Sequence, residues 1–133
     1  MAIILDADVV IRGEKGALDL QTWAAFHPNE RFEIAAITVT ELWHGVERAT
    51  GQHKAGRRHY LQTLLTSLPI IPYTEQTAYE HARIWAELES SVKAIGFCDL
   101  IVAATALERG SNVAAFNTRH FSQVKGLTVI EPK

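Results

Sequence analysis

Several things are scarce in this chain, and each scarcity excludes something. There is a single cysteine, Cys98, so no internal disulfide framework and no cysteine-based zinc cluster can be built. One thiol fits a reducing compartment. Basic charge is not in excess: 13 Lys and Arg face 15 Asp and Glu, for a net charge of −2. No global positive field advertises nucleic-acid binding, so any such binding must be local. Long apolar runs are missing as well. The strongest, Leu100 to Leu107, contains Thr105 and is far too short to span a bilayer. The chain starts directly on a strand pattern rather than on a leader peptide. There is no repeat, low-complexity tract or linker. These features together give the expectation of a soluble, cytoplasmic protein with no membrane association.

What is present is material for one core. The 133 residues suit a single domain, 1–133, and 47% of them are hydrophobic. Ala2–Leu5 reads as an interior strand, and Phe32–Ile37 as a second. Leu18–Phe26 reads as a helix ended by His27-Pro28-Asn29-Glu30. Thr38-Val39-Thr40-Glu41 looks like a helix start, with Leu42, Val46 and Ala49 on one face. A further helix is expected from Gly56 or Arg57 to Ser67, then a very short strand fenced by Pro69 and Pro72. Thr74–Val92 is a long amphipathic pattern, and 99–109 a helix apolar nearly all round, with Gly110 as its C-terminal stop. Val113–Phe116 and Leu127–Ile130 read as the last strands.

Strands alternating with helices predict an α/β fold with a parallel sheet between helical layers. Right-handed crossovers put all strand C-termini on one edge, where ligands of such sheets bind. Asp6 follows the first strand, Glu41 the second, and Asn117 follows Val113–Phe116, while Asp99 opens the buried helix. All four are therefore expected at that edge. Each has an ordinary explanation on its own. Thr38-x-x-Glu41 matches a capping box, Asp99 suits a helix dipole, Asp6 could cap a turn, and Asn117-Thr118 is a common loop. Together they call for more, because three carboxylates in a partly buried cleft repel one another. A divalent cation removes that cost, and oxygen ligands suit Mg²⁺ or Mn²⁺. Such a site fits phosphodiester hydrolysis by a metal-activated water, with Asn117 as a neutral ligand or water-positioning group.

The stretches IILDADVV (3–10), ITVTELWHGV (37–46), IGFCDLIVAATALERG (95–110), FNTRHF (116–121) and VKGL (124–127) resemble, in order and spacing, the PIN-domain ribonucleases, and specifically the VapC-type toxins of bacterial toxin–antitoxin pairs. The resemblance covers nearly the whole chain. It implies a three-layer α/β/α fold with about five parallel strands in the order 3-2-1-4-5. It carries the family's acidic metal ligands onto Asp6, Glu41 and Asp99, with Asn117 at the fourth catalytic position. Gly45 matches the family's small residue one turn after the glutamate. The resemblance further implies an Mg²⁺- or Mn²⁺-dependent endoribonuclease that leaves 5′-phosphate and 3′-hydroxyl ends on RNA. It also implies a homodimer and a small VapB-type antitoxin that blocks the cleft. The chain departs from the pattern at Asp8, where relatives carry a neutral polar residue. It departs again at Ala115, where Thr or Ser is frequent, and at His120, where an acid is frequent. Asp8 is accordingly expected to orient a water or a backbone N–H rather than to ligate directly.

Two other readings compete. Asp6-x-Asp8 has the spacing of haloacid-dehalogenase-type phosphatases, but Val9-Val10 replaces the Gly-Thr those enzymes want. A PIN-fold binding module without catalysis is the other, although no acid of the set is missing. The six histidines show no His-x-x-x-His pair and are expected on surfaces and helix flanks, with His120 the exception worth testing. Cys98, beside a carboxylate, is expected to be a buried, unreactive thiol. Lys54, Arg57 and Arg58 form the only basic cluster and suit either RNA phosphates or a solvated helix start. Trp43, Tyr79 and Trp85 suit core or subunit contacts better than base stacking.

Overall fold

A computed structural model describes residues 1–91, 93 and 95–133. The elements are β1 (Ala2–Leu5), α1 (Ala7–Glu14), α2 (Leu20–Ala25), β2 (Arg31–Ala35), α3 (Ala36–Arg48), α4 (Gly51–Leu65), β3 (Ile70–Ile71), α5 (Glu75–Ser90), α6 (Phe97–Arg109), β4 (Asn112–Ala114), α7 (Thr118–Ser122) and β5 (Val129–Ile130). All five strands pair in parallel, in the order β3-β2-β1-β4-β5. The expected α/β fold and strand order are both met.

β1 occupies the centre because all four of its residues are apolar, and all are buried. Its side chains alternate between two cores, as the period of a strand requires. Ile3 and Leu5 join Ile34 and Ala114 under Val9, Val10, Trp23, Leu42, Val46 and Leu61, so α1–α4 cover one face. Ile4 joins Ala35 and Val113 under Ile84, Leu88, Leu100, Val102 and Phe121, so α5–α7 cover the other. The chain lays β2 and β3 on one side of β1 and β4 and β5 on the other. The order thus reverses at β1, and the end of β1 is the switch point.

α6 is set at both ends. Gly96 is its N-cap, and at its C-terminus Gly110 takes a left-handed φ of 66°. The amides of Gly110 and Ser111 close onto the carbonyls of Leu107 and Ala106. Arg109 in the last turn makes a two-pronged pair with Glu33 of β2, at 3.1 and 2.7 Å, and Glu33 is only 3% exposed. This pair pins the end of α6 opposite Asp99. Ten residues of α6 separate the two by about 15 Å.

The structure corrects several expectations. α1 and α7 were not expected, and α1 begins directly after Asp6. The Thr38–Glu41 capping box does not exist. β2 passes into α3 at Ala36 without a loop, Ala35 is the N-cap, and no side chain caps it. Thr38 is therefore a fully buried residue of the first turn, and Glu41 lies in the second turn rather than opening the helix. The capping box that does form is Thr74 with Thr77 at the start of α5. α2 is shorter than expected, α4 starts earlier at Gly51, and the strands expected over 32–37, 113–116 and 127–130 are trimmed to the pairs their neighbours can reach. The expected α5 end at Val92 lies outside the described residues.

Candidate active site

Asp6 sits immediately beyond β1, where its amide extends the ladder to the Ala114 carbonyl at 2.9 Å. It holds the N-cap position of α1, yet its side chain makes no capping bond. Its carboxyl is 5% exposed, and Oδ1 has no hydrogen-bond partner. Asp8, in the first turn of α1, points toward the loop after β4. Its Oδ2 accepts the amides of Phe116 and Asn117, both at 3.2 Å. Asp8 thus fixes the turn that carries Asn117, which matches its expected role toward backbone N–H groups. A carboxylate so engaged is poorly free to act as the general acid of the phosphatase reading.

Glu41 comes from α3 and Asp99 from the first turn of α6. Asn117 is the N-cap residue of α7, and its side chain makes no capping bond to the helix backbone. Its Nδ2 lies 2.8 Å from Nδ1 of His120, and the same ring nitrogen lies 3.5 Å from Oδ2 of Asp99. His120 therefore links two of the four expected site residues. One further neighbour went unread in the sequence. The guanidinium of Arg12 lies over the ring of Phe116, 4.0 Å from its centroid. Recognising Asp8 and Arg12 as neighbours four apart requires first recognising α1.

The electrostatics show that the carboxylates face one another. Burial first, and then the charges of Asp8 and Asp99 with a smaller push from Glu41, raise Asp6 from 3.8 to about 8; only its bond with the Ala7 backbone opposes this. Glu41 is raised by burial and by the charges of Asp99 and Asp8. The Cys98 thiol is raised by burial, and then by Glu41, Asp99 and Asp6. That direction makes it a poor nucleophile, as expected, although the residue is half-buried rather than buried.

Of the six buried, unpartnered side-chain polar atoms among the described residues, three are carboxylate oxygens of this cluster: Asp6 Oδ1, Asp8 Oδ1 and Glu41 Oε1. Buried acceptors without donors are costly, and their concentration in one place fits a donor set made for a hard cation. Among the described residues no group of three or more His, Cys, Asp or Glu side chains stands, as placed, in a geometry that could hold a metal ion.

Other candidates lie elsewhere. Arg57 turns inward, donating to the Gly45 carbonyl at 3.4 Å and pairing with Glu14 at 3.5 Å. It is thus committed to holding α4 against α3 and α1. Tyr79 and Trp85 are exposed rather than in the core. His81 breaks the surface expectation: it is buried among Tyr73, Trp85 and Phe97, and burial lowers its pKa. No helix of the described residues is long and apolar enough to cross a membrane.

Comparison with known proteins agrees with this arrangement. The PIN domain family model matches residues 3–127. The chain is 30% identical to Ribonuclease VapC1 of Rickettsia felis, over 98% of this chain and 96% of that one. It is also 30% identical to Ribonuclease VapC2 of Haemophilus influenzae, over 93% and 92%. Among solved structures, VapBC2 from Rickettsia felis, bound to a DNA fragment from its promoter, superposes with a TM-score of 0.91 at 21% identity and complete coverage of both chains. FitAcB from Neisseria gonorrhoeae gives a TM-score of 0.81 at 26% identity, over 98% of this chain and 97% of that one. Strand order, switch-point carboxylates and these matches lead to one conclusion: the chain belongs to the PIN-domain family, within its VapC branch.

Proposed function

We propose that the protein is the toxin of a toxin–antitoxin pair and acts as a divalent-metal-dependent endoribonuclease. The observation that carries this reading is the set of buried, unpartnered carboxylate oxygens of Asp6, Asp8 and Glu41 at the switch point, contributed by the β1–α1 junction and by α3. Asp6, Glu41 and Asp99 would hold Mg²⁺ or Mn²⁺. Bound there, the ion supplies Lewis-acid polarisation of a phosphate and a lowered pKa for water. The chain's own residues do the rest. Asp8 fixes the 116–117 amides and so the position of Asn117. Asn117 and His120 present a polar wall beside Asp99, suited to orient the phosphate or the attacking water. Asp6, protonated at neutral pH without a cation, gives up its proton when one binds.

Two partner surfaces support the toxin reading. An apolar groove of about 830 Å³ runs beside α2 and α4, lined by Leu18, Leu20, Phe32, Tyr60, Leu64 and Leu68. It does not contain the acids, and it suits the apolar face of a VapB-type antitoxin segment. Tyr73, Trp85 and Phe97, all exposed, gather around His81. Such an aromatic patch suits a homodimer contact.

The test is cleavage of RNA by purified, antitoxin-free protein in Mg²⁺ or Mn²⁺. Cutting that leaves 5′-phosphate ends and stops with EDTA, Asp6→Asn or Asp99→Asn is expected. Cleavage unchanged by all three would remove the assignment.

A further inference from the structure

The acidic cleft has an electrostatic difficulty. RNA carries one negative charge per phosphate, and the mouth of the cleft is lined by carboxylates. With a net charge of −2 the chain offers no general attraction. A substrate approaching the cluster needs a local cation, and the one basic cluster visible in the sequence has its Arg57 tied to Glu14 and Gly45.

Arg12 is placed differently. It lies four residues after Asp8 on α1, so the two share a helix face. Asp followed by Arg at that spacing ordinarily forms an ion pair. Here it does not. Asp8 spends its Oδ2 on the amides of Phe116 and Asn117, and Arg12 lies on the Phe116 ring instead. Among the described residues Arg12 has no carboxylate within ion-pair distance, whereas Arg31, Arg57, Arg83 and Arg109 each have one. The Phe116 ring anchors the guanidinium, while no hydrogen bond or ion pair among the described residues occupies its N–H donors. Arg12 is itself exposed. Phe116 is adjacent to Asn117, so this fixed cation stands next to the site.

We propose that Arg12 binds a phosphate of the RNA strand lying in the cleft and so positions the scissile bond over the acids. The proposal rests on the ribonuclease reading and extends it to a named substrate contact. An ordinary role for Arg12 is to shield Phe116 or to favour the end of α1. That role would act on stability and would be largely served by any aliphatic or cationic side chain.

The experiment compares wild type, Arg12→Ala and Arg12→Lys on a fluorogenic single-stranded RNA in Mg²⁺. Arg12→Ala is expected to raise KM about tenfold with kcat within about twofold. The slope of log KM against log salt should fall by about 0.7, the share of one phosphate on a single strand. Arg12→Lys should recover the salt slope but only part of the KM, because it lacks the planar fork. Tm should stay within about 2 °C across the three. Binding is read separately, by anisotropy of a labelled RNA on the Asp99→Asn protein with and without Arg12, which needs no turnover. If wild type fails to cut RNA, the ribonuclease reading falls. If RNA binding and KM are the same without Arg12, or change only in step with Tm, this inference falls while the ribonuclease reading stands.

Discussion

Asp6→Asn should stabilise the metal-free protein, and the gain should grow with pH. In the folded chain the Asp6 carboxyl titrates at about 8, against 3.8 ordinarily, because it is buried and faces Asp8, Asp99 and Glu41. Between about pH 4 and pH 8 the folded state therefore holds a proton that the unfolded chain has released. Stability must fall as pH rises through that window and level off above it. At 1.36 kcal/mol per pH unit, the loss across the window is on the order of 5 kcal/mol. An amide at this position has no charge to bury, and Asn serves an N-cap as well as Asp. For a chain of this size each kcal/mol moves Tm by roughly 3–4 °C. Metal-free Asp6→Asn should thus match wild type near pH 4.5 and melt roughly 10–20 °C higher near pH 8.5. Thermal unfolding in EDTA across that range is the assay. Adding Mn²⁺ at pH 8 should then raise the wild-type Tm and leave the variant's unchanged. A variant less stable than wild type at pH 8, or a gap that does not widen with pH, would show that Asp6 is not held protonated by its surroundings.

Other perturbations follow from the same geometry. Arg109→Met leaves the buried, charged Glu33 with only the exposed Arg31, 4.0 Å away, which should cost about 3 kcal/mol in denaturant unfolding, and adding Glu33→Met should restore most of it. Gly45→Ala puts a methyl 2.9 Å from the tip of Arg57, a flexible end that can move, while the helix gains about 1 kcal/mol of propensity. The net change in stability should stay within about 1 kcal/mol. Cys98 should react slowly with a thiol-specific reagent at neutral pH and several-fold faster in Asp99→Asn, since a neighbouring charge that raises the thiol is then gone. If the aromatic patch around His81 is the homodimer contact proposed above, Trp85→Glu should lower the mass seen by light scattering to that of a monomer without a loss of helix signal.

The parts of the fold that could be read in the sequence were those with one strong period. β1, α5 and α6 stood out because β1 is wholly apolar and the two helices carry long, clear patterns. α1 was hidden because Val9, Val10 and Ile11 are β-branched and extend the apolar look of β1. Its helix forms because Val9 and Val10 find a core, a tertiary effect that outweighs weak propensity. The false capping box has a similar origin. Thr38-x-x-Glu41 has the right spacing, but the chain turns into α3 three residues earlier, and Thr38 is buried. The gathering of Asp6, Glu41 and Asp99 was legible because each lies close to the end of a strand or the start of a helix. The His120 link and the Arg12 stack depend on side-chain direction, which no spacing reports.

Asp6, Glu41 and Asp99 are proposed to form one cation site. Calorimetric titration of Mn²⁺ into the metal-free protein at pH 7, in buffers of different ionisation enthalpy, tests it most directly. Binding is predicted with release of close to one proton, falling toward zero above pH 9 as Asp6 ionises on its own, and binding should be lost in Asp99→Asn. No binding, or binding that releases no proton and survives Asp99→Asn, would contradict it.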